Sequence, residues 1–252
     1  MHKFFVPAEN IIDKKAIING DDVKHIYKVL RLKCGDSINI NNCQGKEYKG
    51  EIEHIDKKSV VVKIINQVEV NNESPLNIYL YQGLPKSTKM DLIVQKSTEL
   101  GIKEIIPILT ERVEVKTTLK EFKKIDRWNR IALEACKQCK RTLIPSVKEP
   151  LEFNNLLEEI KSMDLIVVPY ESKHNYGIKS LIKNIQYKKE SIKNIGIVIG
   201  PEGGFEESEI RALEKIKAET VTLGPRIFRT ETAGIVCASI ILYELGDLGG
   251  NI

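Results

Sequence analysis

Two segments near the carboxyl end carry the residue types that most directly suggest a binding site. One, here called the glycine loop, covers residues 200–205; the other, the arginine segment, covers residues 223–233. Each follows an apolar stretch and contains a Gly-Pro pair. Glycine lets the backbone approach a ligand closely, and proline fixes the path of a loop. Because ligands of open α/β sheets bind beyond the carboxyl ends of strands, the pair predicts a small-molecule site.

The glycine loop differs from the common phosphate-binding motifs. It is not a Gly-x-Gly-x-x-Gly sequence after a first strand, and it lacks the Lys-Ser/Thr that ends a P-loop. A helix is expected from about Ser208, and Glu206, Glu207 and Glu209 near its positive end would disfavour a phosphate. A neutral or cationic ligand such as an adenosyl group fits better. From this motif alone, a ligand loop and a structural turn both stay open.

The arginine segment adds charged groups to the predicted site. Arg226 and Arg229 flank two apolar residues, and Thr230 is a candidate N-cap for a helix that is apolar on nearly every face. Such a helix is expected to be buried, in the core or against a second subunit. Arg229 either pairs with Glu231 to fix the segment or faces a substrate on which negative charge develops.

A third run, at residues 167–171, ends another apolar stretch and contains Pro169 and Tyr170. It either brings a third strand end to the same pocket or only terminates its strand. The remaining candidates are basic residues, each of which alone would be a solvated surface charge. On a common face they would bind phosphates with salt-dependent affinity. The net charge of +4 permits a nucleic-acid partner without requiring one.

Cysteine usage and hydropathy indicate the compartment. Five dispersed cysteines form no disulfide framework, and no secretory signal is recognised. Cys136 and Cys139 form a Cys-x-x-Cys within a helical pattern, without the second pair of ligands that zinc needs. We expect small buried side chains on one helix face and no metal. No apolar run approaches transmembrane length. These features predict a reduced, soluble, cytoplasmic protein without a membrane partner.

The elements that position these residues fall into two groups. Up to about residue 70, short strands joined by polar turns suggest a meander or small barrel. One helix is expected there, capped by Asp21 or Asp22 and running through Arg31. After a polar break at 70–75, strands alternate with helices, the pattern of a mostly parallel sheet covered on both faces. Strands are expected at 76–81, 105–109, 165–168, 195–199 and 219–223. Helices are expected at 89–100, 124–140, 153–162, 207–217 and 230–245. We predict an α/β protein with domains at 1–72 and 73–252.

Blocks over almost the whole chain resemble one family, the RsmE-type 16S ribosomal RNA (uridine-N3) methyltransferases of the SPOUT superfamily. The matching blocks are residues 3–6, 29–32, 86–101, 200–205 and 223–233, with His25, Gly35, Asp36, Pro107, Glu111, Arg112, Arg127, Trp128, Ala135, Gln138, Arg141, Ile144 and Pro145. Two departures are small. Lys3 stands where arginine is more usual, and Phe228 where leucine is common. A lysine can contact phosphate but cannot bind it bidentately.

The resemblance implies a PUA-like β-barrel that helps to hold RNA, followed by a SPOUT-type α/β domain with a C-terminal trefoil knot. It also implies a homodimer that binds S-adenosylmethionine in the knot loops. The implied cofactor residues are Pro169, Tyr170, Ile199, Gly200, Pro201, Gly203, Gly204, Leu223, Gly224, Ile227, Phe228 and Thr232. For 16S rRNA, within the small ribosomal subunit, we expect contacts from Lys3, Arg31, Lys33, Lys86, Lys89, Lys96, Arg112 and Arg141.

Methylation at uridine N3 defines what catalytic residues must do. N3 carries an imide proton and becomes a good nucleophile once deprotonated, so charge on O2 or O4 must be stabilised. We expect Arg229 to stabilise this anion, with support from Glu231. Glu202 is either the proton acceptor or a residue that orients the backbone. The target base must be single-stranded or flipped out. Two alternatives stay open: a knotted ribose 2′-O-methyltransferase of tRNA or rRNA, and a non-catalytic RNA-binding factor.

Overall fold

The computed structural model describes residues 2–70, 72–86, 88–113, 119–173 and 175–250, without the side chains of 119–123. The chain forms two compact units. The first comprises the chain up to Glu73 together with residues 136–144, and the second comprises residues 74–135 and the chain from Pro145 onward. The prediction placed the boundary between residues 72 and 73 and did not assign residues 136–144 to the first domain.

The first unit is built on a mixed six-stranded sheet. Its strands are β1 (Lys3–Phe5), β2 (Ile11–Ile12), β3 (Lys15–Asn19), β4 (Ser37–Asn41), β5 (Glu47–Ile55) and β6 (Ser59–Val68), in the order β1-β4-β5-β6-β3-β2. Only β1 and β4 pair in parallel. Alternate residues of β3 and β4 are buried, including Ala16, Ile18, Ile38 and Ile40, as expected of strands with one face on a core.

The helix of the first unit differs from the prediction. It begins at Asp21 after Gly20, whose φ is 74°, and α1 (Asp21–Lys24) continues as a π-helical turn through Val29. The predicted aspartate cap and the predicted end near Arg31 are wrong. Arg31 has a φ of 55°, a left-handed conformation that no α-helix accommodates.

Residues 136–144 are held in the first unit by the carboxylate of Glu73. Arg141 donates to Glu73 Oε2 from Nε at 3.0 Å and from an Nη at 2.9 Å. The N–H groups of Thr142 and Leu143 donate to Glu73 Oε1 at 2.7 and 2.9 Å. In addition, the side chain of Asn41 donates to the carbonyl of Thr142 at 3.1 Å.

The second unit confirms the predicted parallel α/β arrangement. Its strands are β7 (Asn77–Gly83), β8 (Glu104–Leu109), β9 (Ser146–Val147), β10 (Leu151–Glu152), β11 (Leu165–Pro169), β12 (Asn194–Ile199) and β13 (Glu219–Val221). Their order is β10-β8-β7-β12-β11-β13, with β9 beside β8, and every pairing is parallel. The carboxyl ends of the strands therefore share one edge of the sheet.

Helices accompany this sheet. They are α2 (Lys89–Glu99), α3 (Leu119–Cys139), which runs on into the residues assigned to the first unit, α4 (Phe153–Glu159), α5 (Ile178–Ile185), α6 (Glu207–Lys215) and α7 (Thr230–Leu245). The core on one side of the sheet includes Tyr81, Ile108, Val168 and Val198. α7 buries one stripe that includes Gly234, Cys237 and Ile241, whereas Tyr243 is exposed. The core of the second unit therefore buries this stripe of α7, and burial of the remaining apolar face against a second subunit stays a prediction.

Candidate functional site

The loops after β7, β11, β12 and β13 surround a groove at the carboxyl edge of the parallel sheet. One lobe, of about 270 Å³, is lined by Pro169, Tyr170, Glu171, Ala233 and residues 222–228. The other, of about 420 Å³, is lined by Lys89, Ile199, Gly200, Pro201, Glu202, Gly204, Phe205, Arg229 and Thr230, with residues it shares with the first lobe. The structure thus brings the glycine loop, the arginine segment and the end of β11 together.

Most of the predicted cofactor residues line this groove. Two do not. The carbonyl of Gly203 instead accepts a hydrogen bond from Arg112, and Thr232 lies half-buried in the first turn of α7 without lining either lobe.

The glycine loop owes its path to local hydrogen bonds. Gly204 has a φ of 70°, and its N–H donates to the carbonyl of Pro201 at 3.0 Å, which closes a tight turn. The chain then enters α6 through a capping box. Glu206 caps the helix, and its own N–H donates to the carboxylate of Glu209 at 2.8 Å. The acidic residues near this helix start thus serve the helix itself.

Arg112 fastens the glycine loop to the segment that follows β8. Its Nε donates to Glu206 Oε1 at 2.7 Å, and one Nη donates to the carbonyl of Gly203 at 3.0 Å. Next to it, the N–H of Glu111 donates to Glu209 at 2.9 Å. Arg112, which we predicted to bind RNA, therefore has partners within the second unit.

Lys89, from the first turn of α2, lies between two carboxylates at the groove. Its ammonium is 2.9 Å from Glu202 Oε1 and 3.5 Å from Glu231 Oε2. The N–H of Lys86 also donates to Glu202, at 3.1 Å. Glu231 therefore faces Lys89, and no hydrogen bond or ion pair between Glu231 and Arg229 is found within the described part of the chain.

These contacts shift the pKa values of Glu202 and Lys89 in opposite directions. Burial raises the pKa of Glu202, but the hydrogen bonds from Lys89 and from N–H groups, with the charge of Lys89, bring the net pKa below its ordinary 4.5. The hydrogen bond to Glu202 raises the pKa of Lys89 above its ordinary 10.5, against a smaller opposing effect of burial. Both groups are therefore charged at neutral pH.

Arg229 is exposed at the rim of the groove, with its side chain free of hydrogen bonds and ion pairs to any residue that the structure describes. Its backbone, with φ −64° and ψ 153°, makes it the N-cap of α7. The predicted N-cap, Thr230, is instead the first helical residue, and its hydroxyl donates to the carbonyl of Gly200 at 2.6 Å. An unpaired guanidinium at the rim can stabilise an anion brought there.

Sequence reasoning missed two contributors to this site. Glu171 lines both lobes and directly follows the predicted Pro169 and Tyr170, so its position was the available signal. Gln82 is fully buried in β7 and donates to Thr230 Oγ1 at 2.8 Å. A glutamine directly after the strand predicted at 76–81 gives no signal for this contact.

The other predicted RNA-binding residues have varied surroundings. In the first unit Arg31 and Lys33 are exposed, whereas Lys3 pairs with the buried Glu47 at 2.5 Å and Arg141 binds Glu73. In the second unit Lys96 pairs with Glu99 of the same helix at 2.8 Å. Lys3 and Arg141 thus have internal partners, and their contact with RNA stays a prediction.

The described residues provide neither a metal site nor a membrane-spanning helix. Within the described ranges, no group of three or more His, Cys, Asp or Glu residues is arranged to hold a metal ion. Cys136 is buried and Cys139 half-buried, both as free thiols. Among the helices of the same ranges, none has the length and apolar character to cross a membrane.

Comparison with known proteins identifies the family. Residues 72–242 match a family model described as an RNA methyltransferase domain, and residues 18–65 match an RNA methyltransferase PUA domain. The chain is 37% identical over 235 residues to ribosomal RNA small subunit methyltransferase E of Bacillus subtilis, covering 93% of this chain and 92% of that one.

Two solved structures share the fold over their full length. One, ribosomal RNA small subunit methyltransferase E of Neisseria gonorrhoeae bound to S-adenosyl methionine, has a TM-score of 0.84 at 27% identity, with 98% of this chain and 99% of that chain covered. The other, a Legionella pneumophila protein assigned as a methyltransferase and solved with the cofactor SAM, has a TM-score of 0.83 at 32% identity, with 98% of each chain covered. The chain belongs to the ribosomal RNA small subunit methyltransferase E family.

Proposed function

We propose that this protein transfers the methyl group of S-adenosylmethionine to N3 of a uridine in 16S rRNA of the small ribosomal subunit. The observation that carries the proposal is the groove itself, where the glycine loop and the arginine segment meet beside the unpaired guanidinium of Arg229. The names of the relatives and the cofactor in two related structures support the same activity.

The groove suits this cofactor in size and chemistry. Its lobes of about 270 and 420 Å³ share walls and together have the volume of a small-molecule site. Backbone forms much of the wall. A Cβ on Gly200 would lie 3.2 Å from the Phe205 ring, so a larger residue would crowd the loop there. The predicted residues that line the groove and would hold the cofactor are Pro169, Tyr170, Ile199, Gly200, Pro201, Gly204, Leu223, Gly224, Ile227 and Phe228. The assignment of Gly203 and Thr232 to the cofactor would require a contact outside these linings. When bound, the cofactor supplies the electrophilic methyl group.

The catalytic task of the protein is to stabilise the uracil anion and to hold N3 in line with the methyl group. Arg229 stabilises charge on O2 or O4, because its guanidinium is exposed at the groove and unpaired in the described residues. Glu202 is held by Lys89 and by the N–H of Lys86 with a lowered pKa, which favours orientation of the loop over proton acceptance. Glu231 acts through Lys89, its partner at 3.5 Å.

The domain at 1–72 holds RNA as a PUA-like module, and the domain at 73–252 carries the reaction in a SPOUT-type knot. Arg31 and Lys33 are the exposed cations of the first domain that we assign to RNA. The exposed face of α7 borders an apolar groove with Tyr243 and Leu248, and we assign it to a homodimer contact. The reaction belongs in the cytoplasm, where ribosomal subunits are assembled.

A single assay tests the function. Small subunits that lack the modification are incubated with the protein and S-adenosylmethionine, and the rRNA is digested and mapped by mass spectrometry. A methyl group on the base of one uridine is the expected product. A methyl group on a ribose would identify a 2′-O-methyltransferase. If calorimetry shows no binding of S-adenosylmethionine, the protein is an RNA-binding factor and the proposal is wrong.

A further inference from the structure

We propose that Gln82 and Thr230 are positioning residues whose hydrogen bonds hold the glycine loop in its ligand-binding shape. The inference rests on the proposed function, because it concerns the affinity of the groove for S-adenosylmethionine. Gln82 does not line the groove, and its role depends on a chain of hydrogen bonds through Thr230 to Gly200.

Three elements meet in this chain. Gln82, near the carboxyl end of β7, donates from Nε2 to Thr230 Oγ1 at 2.8 Å. Thr230, the first residue of α7, donates its hydroxyl proton to the carbonyl of Gly200 at 2.6 Å. Both side chains are buried, with Gln82 fully inaccessible and Thr230 7% exposed. The bonds therefore join the central strand, the helix start and the glycine loop without competition from water.

The direction of each bond follows from the groups involved. A carbonyl oxygen can only accept, so the single proton of the Thr230 hydroxyl must go to Gly200. The hydroxyl then has lone pairs left to accept from Gln82, which requires the NH₂ end of the amide to face it. The opposite end, Oε1, is buried and has no hydrogen-bond partner among the residues described. An unsatisfied buried acceptor is unfavourable, so the presence of a glutamine here indicates that the hydrogen bond donated by its NH₂ group offsets this cost.

The carbonyl of Gly200 is the only polar group of its peptide unit, because Pro201 has no N–H. Its orientation therefore decides which atoms this part of the loop presents to a ligand. The neighbouring residue of β7 reinforces the arrangement. A Cβ on Gly83 would lie 2.4 Å from N of Pro201 and 2.7 Å from C of Gly200, so the strand and loop backbones are in direct contact.

A loop already held in its bound shape needs no ordering when the ligand arrives. Removal of the Thr230 hydroxyl frees the Gly200 carbonyl, and we expect the dissociation constant for S-adenosylmethionine to rise about ten-fold. The turnover number of Gln82→Met at saturating cofactor should change far less, since Gln82 does not line the groove and Arg229 is untouched. A Michaelis constant for S-adenosylmethionine that rises while kcat is kept distinguishes positioning from catalysis.

The test compares Thr230→Val with Thr230→Ser. Valine keeps the shape of threonine without the hydroxyl, and serine keeps the hydroxyl without the methyl group. Calorimetry should give an affinity for S-adenosylmethionine about ten-fold weaker for the valine variant and within about two-fold of wild type for the serine variant. In the free protein, hydrogen exchange of the peptide covering residues 199–206 should be faster only in the valine variant. The proposal is overturned if Thr230→Val and Thr230→Ser bind S-adenosylmethionine with the same affinity and show the same hydrogen exchange in residues 199–206.

A second variant covers a folding failure of the first. Gln82→Met keeps the length of the side chain but cannot donate to Thr230, so the same increases in exchange and dissociation constant are expected, to a smaller extent. Wild-type behaviour of a folded Gln82→Met would count against the proposal. If the wild-type protein itself binds no S-adenosylmethionine, the proposed function fails. The hydrogen-exchange comparison still tests whether the hydrogen bond from Thr230 to Gly200 holds the loop.

Discussion

The ammonium of Lys89 lies 2.9 Å from the carboxylate of Glu202, and this pair joins the first turn of α2 to the glycine loop. The folded pKa of Glu202 is lowered, so its contribution to stability is present above the ordinary 4.5 and is lost as pH falls through the folded value. The folded pKa of Lys89 is raised, so its contribution is full below 10.5 and is lost only at higher pH.

Replacement Glu202→Gln should therefore destabilise the protein at neutral pH but not in acid. The loss is expected to be no more than about 1 kcal/mol, because the pair is partly exposed. Melting temperatures of wild type and variant, recorded from pH 7 down to about pH 3, should differ most at pH 7 and begin to converge below 4.5, as the pH approaches the lowered pKa of Glu202. A difference that stays constant across this range would show that the charge of Glu202 is not the cause.

Replacement Arg229→Ala should abolish most activity without affecting folding. The side chain is exposed and makes no internal pair in the described chain, so the melting temperature should be unchanged. Loss of a preorganised donor to a developing anion typically lowers kcat by about 10²–10³. Affinity for S-adenosylmethionine should stay near wild type. Arg211→Ala, which removes a cation on the exposed surface of α6, is the matched control. Full turnover by Arg229→Ala would refute the assignment.

Glu171 should provide negative charge for a cationic cofactor. It lines both lobes of the groove, and its Oε1 lies 3.0 Å from where a Cβ on Gly204 would be. Within the described residues no ion pair engages this carboxylate, whereas Glu202 faces Lys89. We expect Glu171→Gln to weaken the binding of S-adenosylmethionine by roughly 3- to 10-fold, a typical contribution of a partly exposed charge. The same substitution should weaken the binding of S-adenosylhomocysteine less, because this ligand lacks the sulfonium charge. Calorimetry with both ligands decides, and equal losses would place Glu171 away from the sulfur.

The regular elements near the site were predictable because their patterns are local. The apolar run before the glycine loop predicted a strand at 195–199, and β12 covers Asn194–Ile199. The start of α7 was predicted at residue 230 and is found there. By contrast, β9 and β10 have two residues each, too few for any periodicity. α5 was missed although Ile178, Leu181, Ile182 and Ile185 form a buried stripe with helical spacing.

Contacts between distant residues could not be predicted in this way. Gln82 directly follows the strand predicted at 76–81, and the hydroxyl that it binds is 148 positions later in the chain. Glu73 lies in a polar break, yet it anchors Arg141, 68 positions away. Such partners are set by tertiary structure, and no local sequence feature encodes them. The resemblance to a family predicted which loops bind the cofactor, because several sequence blocks in the same order are more specific than any single motif.

The pairing of Glu73 with Arg141 should make Arg141 a stability residue of the first unit. The guanidinium is 6% exposed, and its loss leaves the Glu73 carboxylate without its charged partner. We expect Arg141→Ala to lower the free energy of unfolding by about 2–4 kcal/mol, seen as a lower urea midpoint. Lys33→Ala, at an exposed cation, should leave the midpoint unchanged and reduce the salt dependence of RNA binding. A normal midpoint with weakened RNA binding in Arg141→Ala would favour the predicted RNA contact.

Cys139 should be the most reactive of the partly buried thiols. The neighbouring Cys136 thiol is the largest cause that lowers the pKa of Cys139, to about 6, although burial opposes this. The pKa of Cys43, which is also half-buried, is raised, first by burial and then by Glu9. Because the thiolate is the nucleophile, iodoacetamide should modify Cys139 before Cys43 at pH 7, with a rate midpoint near pH 6.

The cause of this reactivity can be tested with one substitution. Cys136→Ala removes the neighbouring thiol that is the largest cause of the lowered pKa, so the midpoint for alkylation of Cys139 should move to higher pH. Peptide mass spectrometry after timed alkylation measures the rate at each cysteine separately. Cys43 serves as the internal control, since its surroundings are unchanged by the substitution. If Cys139 and Cys43 react at the same rate at pH 7, the Cys136 thiol does not stabilise a thiolate at Cys139.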